Sequence, residues 1–302
     1  MITRDGEAFA AAALACAPDF GPATAKAAFL VAPDGFRRAE ESARDNAYMA
    51  AADFDAAAAQ AEHRALQRAL AAALPTICFP GDPEAPDGLF PNNVFATLPG
   101  RLVVGRMRHP VRQREAGRRD IRGFFREVLG YGEHDLSRQP HPCELTGSLV
   151  IDRARGLGFC GLSERCDERG AALMHEAFGL RATLVFELAP GEYHTNVVLA
   201  VLAGRAALAS PAGLADPAVA GVLARIYGPH CIVLSPGEHV AFVANAIALR
   251  PDRVWMGGAA ERALTRNTRM ALREAGFMVH GVDMPAIEAA GGSLRCCVAE
   301  IY

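Results

Sequence analysis

A repeat constrains this chain more than any other feature. Five segments share one plan, a turn rich in Asn, Gly, Ser or Thr followed by a mostly apolar strand. They occupy 91–96, 144–151, 194–200, 244–249 and 291–299, with turn positions at Asn93, Gly147, Asn196, Asn245 and Leu294. Those positions recur about every 50 residues, the signature of repeated supersecondary units. A unit of that size buries its apolar face only against a neighbour. Strand-like residues at 183–188 and helix-like residues at 218–226 lie between the repeats, while 283–290 carries no clear pattern. Five strand–helix units closing on themselves predict an α/β propeller of five blades. It would span 1–302 as a single domain, with 1–27 as an N-terminal extension.

The clearest helix is expected at 50–74, rich in Ala, Leu, Gln, Glu and Arg and stopped by Pro75. A strand should follow at 76–79 and a proline-rich loop at 80–87. The basic stretch 106–126 should hold a helix from about Glu115 onward, as a solvated face or as part of a substrate site. Thirty-one Lys and Arg against thirty-four Asp and Glu give a net charge of −3, which argues against a nucleic-acid partner. No run of about 18 apolar residues suggests a membrane span. The short apolar run 8–15 follows Asp5 and Glu7 rather than a basic segment, so no secretion signal is expected. The eight cysteines form no CxxC pair and no zinc spacing with histidine. Reduced thiols in a cytoplasm, with no metal, are the expectation.

A ring of repeats brings its equivalent turns to one end of the axis, where a pocket forms. That gathers Asn93, Glu144, His194, Asn196, Asn245 and Cys296, a set holding a thiol, an imidazole and a carboxylate. Such a trio suits covalent thiol catalysis. Cys296 is favoured by the Gly291-Gly292 turn before it and by the charge of Arg295 beside it. Cys297 reads as a core residue, because successive strand residues point to opposite faces. His194 and Glu144 are expected to serve activity rather than folding. A ring-shaped binding protein without catalysis is the competing reading, and the intact Cys–His–Glu set weighs against it.

At these residues the sequence resembles the guanidino-group-modifying superfamily: arginine deiminases, dimethylarginine dimethylaminohydrolases and amidinotransferases. The matching pieces are Phe90-Pro91-Asn92-Asn93-Val94-Phe95, Glu144-Leu145-Thr146-Gly147-Ser148 with Asp152-Arg153, Gly161-Leu162-Ser163-Glu164-Arg165, Tyr193-His194-Thr195-Asn196 and Gly291-Gly292-Ser293-Leu294-Arg295-Cys296. They keep the superfamily's order, and they look most like an amidinotransferase-like, citrulline-utilising hydrolase branch. The resemblance implies a five-bladed α/β-propeller (pentein) with Cys296 as nucleophile and His194 as general acid/base. It makes Glu144 an acid that binds substrate nitrogens or supports the histidine. Arg165, and with a looser register Arg112, would hold a substrate carboxylate. Asn46 would lie near the pocket mouth. No cofactor is implied, the partner is a small amino-acid substrate, and a homodimer is left open.

Two departures bear on the substrate. Deiminases place aspartates where this chain has Asn93 and Asn196. A carboxylate gives guanidinium a charge-assisted bond, whereas an amide gives a neutral one and can also donate. The expected substrate is therefore a ureido amino acid, citrulline first, cleaved to ornithine, carbon dioxide and ammonia. Arginine or a methylarginine stands second, favoured if an acid such as Asp87 supplies the missing charge.

Overall fold

In a computed structural model, which describes residues 1–51 and 54–302, fifteen strands build five three-stranded sheets and one short strand adds to an edge. Each sheet follows one connection rule. The first strand runs antiparallel to the second, and the second parallel to the third across a helical segment. The first blade is Phe95–Leu98, Arg101–Val104 and Gly132–Asp135, and the second is Leu149–Asp152, Leu157–Leu162 and Ala182–Glu187. Leu199–Leu202, Ala206–Ala209 and Cys231–Val233 form the third, and Ile247–Arg250, Arg253–Gly257 and Met278–Val282 the fourth. The fifth joins distant parts of the chain: Ala299–Ile301 pairs with Ala27–Val31, which pairs with Thr76–Phe79. This pairing closes the ring. The repeat unit is thus strand–strand–helix–strand.

Around the axis, first strands touch where the fifth blade meets the first, the second the third, and the third the fourth. Helices Ala56–Ala71, Glu168–Phe178, Ala218–Tyr227 and Arg266–Glu274 bridge second and third strands on the outside. Residues 2–15 also lie outside. Ile2–Thr3 pairs with the edge strand Ala182–Glu187, and helix Gly6–Ala15 packs on Ala218–Tyr227. No helix of the described residues is long and apolar enough to cross a membrane.

Local chemistry corrects two expected boundaries. The helix expected at 50–74 begins only at Ala56, because Asp55 is its N-cap and accepts from the Ala58 N–H at 2.9 Å. The part of that expectation at 52–53 lies outside the described residues. The basic stretch holds no continuous helix from Glu115. It breaks into Pro110–Gln113, Arg114–Gly117, Arg119–Gly123 and Phe124–Val128, with Arg118 extended at ψ 97°. The strands at 76–79 and 182–187 and the helix at 218–227 match expectation closely.

The turns before the first strands are single helical turns: Pro91–Asn93, Leu145–Ser148, Thr195–Val198 and Leu294–Cys297. They are stitched around the axis by a relay of hydrogen bonds. Thr146 Oγ1 donates to Asn92 O (3.0 Å), Asn196 Nδ2 to Thr146 O (3.1 Å), Asn245 Nδ2 to Asn196 O (3.1 Å), and the Arg295 N–H to Asn245 Oδ1 (3.0 Å). The relay uses Asn92, Thr146 and Arg295 where the repeat spacing pointed one residue away, to Asn93, Gly147 and Leu294.

Candidate active site

One end of the axis holds a cavity of about 300 Å³. Cys296, His194, Asn93, Asp87, Arg112, Arg165, Asn46 and Tyr193 contribute to its wall. The turns of three blades deliver the reactive groups. Cys296 lies in the helical turn Leu294–Cys297 rather than in a strand, so the expected strand alternation is not what separates it from Cys297. Rotation within the turn does so. Cys296 lines the cavity, while Cys297 is buried in the apolar core.

Asn245 Nδ2 donates to Cys296 Sγ at 3.3 Å, and Sγ lies 3.8 Å from Asn196 Oδ1. Burial pushes the thiol's pKa up, and the Asn245 N–H offsets that in part. The resting group is therefore a thiol. A cation brought against it would favour the thiolate.

His194 is 1% exposed. Its Nε2 meets Glu144 Oε2 at 2.8 Å, and among the described residues Nδ1 has no partner. Burial holds the imidazole pKa below its ordinary value, against the raising effect of Glu144. Glu144 is fully buried and also accepts the Arg108 N–H (2.9 Å) and Arg165 Nη1 (3.3 Å). Burial would raise its pKa, but Arg165, His194 and Arg112 outweigh that and bring it down to about 2. The residue after it, Leu145, has φ +28°, a conformation L-residues adopt only under constraint. Gly147 admits no side chain: a Cβ there would stand 2.6 Å from Asn93 Oδ1 and 3.0 Å from His194 Nδ1.

The structure gathers the expected site residues unevenly. Glu144 stands behind His194, outside the cavity lining, where it orients the ring. Asn196 lies beneath Cys296 in the axial relay rather than in the lining. Asn93 is in the lining, with Oδ1 buried and unpartnered among the described residues. Arg112 is held by Glu115 at 2.9 and 2.8 Å and also reaches the Phe90 carbonyl. Arg165 is engaged by Asp45 and Glu144. Asn46 donates to the Gly291 carbonyl (3.2 Å), which Tyr193 Oη also reaches. Gly291 itself has φ +77° and is packed so closely on Asn46 that a Cβ would collide.

Asp87, the acid that could supply the missing charge, does reach the site. Among the described residues it is the one carboxylate in the cavity lining, held by Ser42 Oγ at 2.5 Å. Asp45 and Ser42 belong to the site beyond the sequence expectation. Their signal was the density of polar residues in 41–46, which no repeat position marked. No group of three metal-ligating side chains occurs among the described residues.

A five-bladed ring with a thiol, an imidazole and a carboxylate at one end of its axis is the architecture of the pentein superfamily, the guanidino-group-modifying proteins. Within it, a sequence profile described as N,N dimethylarginine dimethylhydrolase, eukaryotic, matches residues 32–302, and this chain belongs to that family. The N(G),N(G)-dimethylarginine dimethylaminohydrolase of Mycobacterium tuberculosis (strain ATCC 25618 / H37Rv) is 28% identical over 204 residues, 66% of this chain and 61% of the relative. The match thus spans less than two thirds of that relative's length.

Among solved structures, the N-terminal domain of ArgZ, a cyanobacterial arginine dihydrolase caught as a cysteine-to-serine variant with substrate, superposes with a TM-score of 0.79 at 20% identity. That match covers 91% of this chain and 97% of the domain, but only 40% of complete ArgZ. A dimethylarginine dimethylaminohydrolase carrying an S-methyl-L-thiocitrulline adduct gives 0.69 at 20% identity, covering 91% of this chain and 99% of its own. These likenesses establish the fold.

Proposed function

We propose that this protein is a thiol hydrolase of the guanidino C–N bond in an arginine-derived substrate. The observation that carries the reading is one cavity holding Cys296 Sγ on the Asn245 amide, His194 with an idle Nδ1, and the Asp87 carboxylate. A guanidinium beside Cys296 favours the thiolate: the thiol proton passes to His194, and the thiolate attacks the central carbon. His194 protonates the departing amine or ammonia, and the covalent amidino–sulfur intermediate remains. The same imidazole then takes a proton from water, whose oxygen adds to that carbon and releases the thiolate. Glu144 holds the imidazole in orientation throughout. Water as acceptor makes the reaction a hydrolysis; an amine in its place would make it amidino transfer.

Asp87 favours a cationic guanidinium, since a carboxylate in the wall gains a charge-assisted bond that citrulline cannot give. Citrulline stays as the second reading, because Asn93 offers an amide to a ureido group. Asn196, the other half of that argument, lies beneath Cys296 and outside the cavity lining.

The test is a panel of arginine, asymmetric dimethylarginine and citrulline, with ammonia, dimethylamine, citrulline and ornithine quantified. Arginine turned over with citrulline accumulating marks a deiminase, ornithine with carbon dioxide a dihydrolase, and dimethylamine a dimethylarginine hydrolase. A protein that turns over none of them, and whose Cys296 resists a haloacetamidine, is not this enzyme.

A further inference from the structure

Arg165 is where the resemblance puts the substrate's α-carboxylate, but that place is already filled. Asp45 grips Arg165 in a two-pronged pair, Oδ2 to Nε and Oδ1 to Nη2, both 2.7 Å. This is the geometry by which arginine binds a free carboxylate. The remaining nitrogen faces Glu144 (3.3 Å), and Nη2 also donates to the Ser42 carbonyl (3.2 Å). His109 Nε2 lies 3.1 Å from both Asp45 oxygens and fixes the carboxylate from its other side. The second arginine in the wall, Arg112, is likewise forked onto Glu115.

Around the cavity, then, four carboxylates (Asp45, Asp87, Glu115, Glu144) face two guanidiniums (Arg112, Arg165). Counted as ionised and with the histidines aside, the carboxylates outnumber the guanidiniums by two in a largely buried layer; of the four, only Asp87 stands in the cavity wall itself. An α-amino acid would add a fifth carboxylate, which must displace Asp45 or remain unpaired, and an unpaired buried charge is costly. A guanidine ending in a bare ammonium brings two positive charges to the same excess.

We propose that Asp45 is a specificity-determining residue that makes this site select an ω-guanidino alkylamine lacking an α-carboxylate over an α-amino acid. The inference rests on the guanidino-hydrolase reading and names the far end of its substrate. By occupying Arg165, Asp45 rejects the competing carboxylate as well as supplying charge for the amine.

The test uses the full chain with Cys296→Ser, so that binding is read without turnover. Calorimetry with agmatine (decarboxylated arginine) and with arginine should show agmatine at least 10-fold tighter. Adding Asp45→Ala frees Arg165 and should invert the order, with arginine tightening at least 10-fold and agmatine weakening or unchanged. Asp45→Asn, which keeps the shape and removes the charge, should fall between and serves if the alanine variant does not fold. On the active enzyme, kcat/KM should rank the two compounds as binding does.

Arginine bound as tightly as agmatine with Asp45 in place, equal weakening of both ligands in the Asp45 variants, or binding of neither overturns the proposal. Its failure is separable from that of the parent reading. Arginine turned over faster than agmatine leaves the hydrolase standing and removes the role of Asp45. Absence of both turnover and Cys296 labelling removes the hydrolase itself.

Discussion

Each end of the ring axis holds a cavity with two arginines, and the two ends balance their charge differently. The far cavity is the larger, about 530 Å³, walled by inner-strand residues with Arg153, Arg295, Glu300 and Tyr302. Both of its arginines are engaged. Arg295 pairs with Glu300 (3.0 Å) and reaches the Val298 carbonyl, and Tyr302 Oη donates to the other Glu300 oxygen (2.8 Å). Arg153 lies over the rings of Tyr302 (4.4 Å) and Phe178 (5.2 Å) and donates to the Thr97 carbonyl. The smaller cavity has a carboxylate in its wall, a thiol and an imidazole nitrogen with nothing to bind. Volume does not mark the reactive end; unsatisfied chemistry does. Asn196 shows how near the two ends come, lining the far cavity while its amide lies 3.8 Å from Cys296 Sγ.

The contrast can be broken most decisively at the thiol. Cys296→Ser should remove turnover by about 10³-fold or more, while Cys297→Ser keeps it within a few-fold. Steady-state kinetics on both variants decide it, and the reverse pattern reassigns the nucleophile.

Next in size, His194→Ala and Glu144→Gln should each lose roughly 10²-fold in kcat, the scale of acid–base catalysis. The two should differ in stability. His194→Ala should melt near the parent temperature. Glu144→Gln should not, because Glu144 is buried against Arg165 and the Arg108 amide as well as the histidine. The sequence alone leads to the opposite expectation, near-parent melting for both variants, and the melts decide between the two. The Glu144 pKa is depressed on folding, so the stabilisation is fully present above about pH 4.5 and is lost as pH falls toward 2. Denaturant melts across that window should show the loss in the parent and a flatter profile in Glu144→Gln; parallel curves would remove the linkage.

Gly147→Ala sharpens the geometry. The added methyl must displace His194 or Asn93 by a fraction of an ångström, so kcat should drop about 10-fold or more with the fold intact. Unchanged kinetics would mean that the turn yields without moving the imidazole.

The smallest effect belongs to the far end. Arg153→Met should leave kcat/KM within about 3-fold and cost roughly 1–2 kcal/mol in a denaturant melt, for one hydrogen bond and two cation–ring contacts. A large kinetic loss would show that the two ends work as one site.

The ring was legible because its repeats carry their own turn chemistry. Asn, Gly and Ser before an apolar strand recur at a fixed period, and the blade count follows. That the thiol, the imidazole and its carboxylate come together was legible for the same reason, since each sits at a repeat turn. Asp45 was not, because it lies in an irregular segment with no counterpart in the other units, and its partners are 64 and 120 residues away. Asn196 was misplaced by the same logic that found it. It is a repeat-turn residue, but its side chain serves the axial relay instead of the cavity. Spacing reveals which turn a residue belongs to, and not whether its side chain faces along the axis or across it.

The fifth blade ties the chemistry to the order in which the molecule is made. Cys296 sits three residues ahead of Ala299–Ile301, the strand that closes the ring by pairing Ala299 with Phe29 across 270 residues of chain. That is among the slowest kinds of contact to form, since a very long loop must be drawn shut before the pairing yields any return. The turn that carries Cys296 leads directly into that seam, so the walls of the cavity are complete only once this last pairing is made. Loss of activity on mild heating should in turn report the opening of this seam before the other blades come apart.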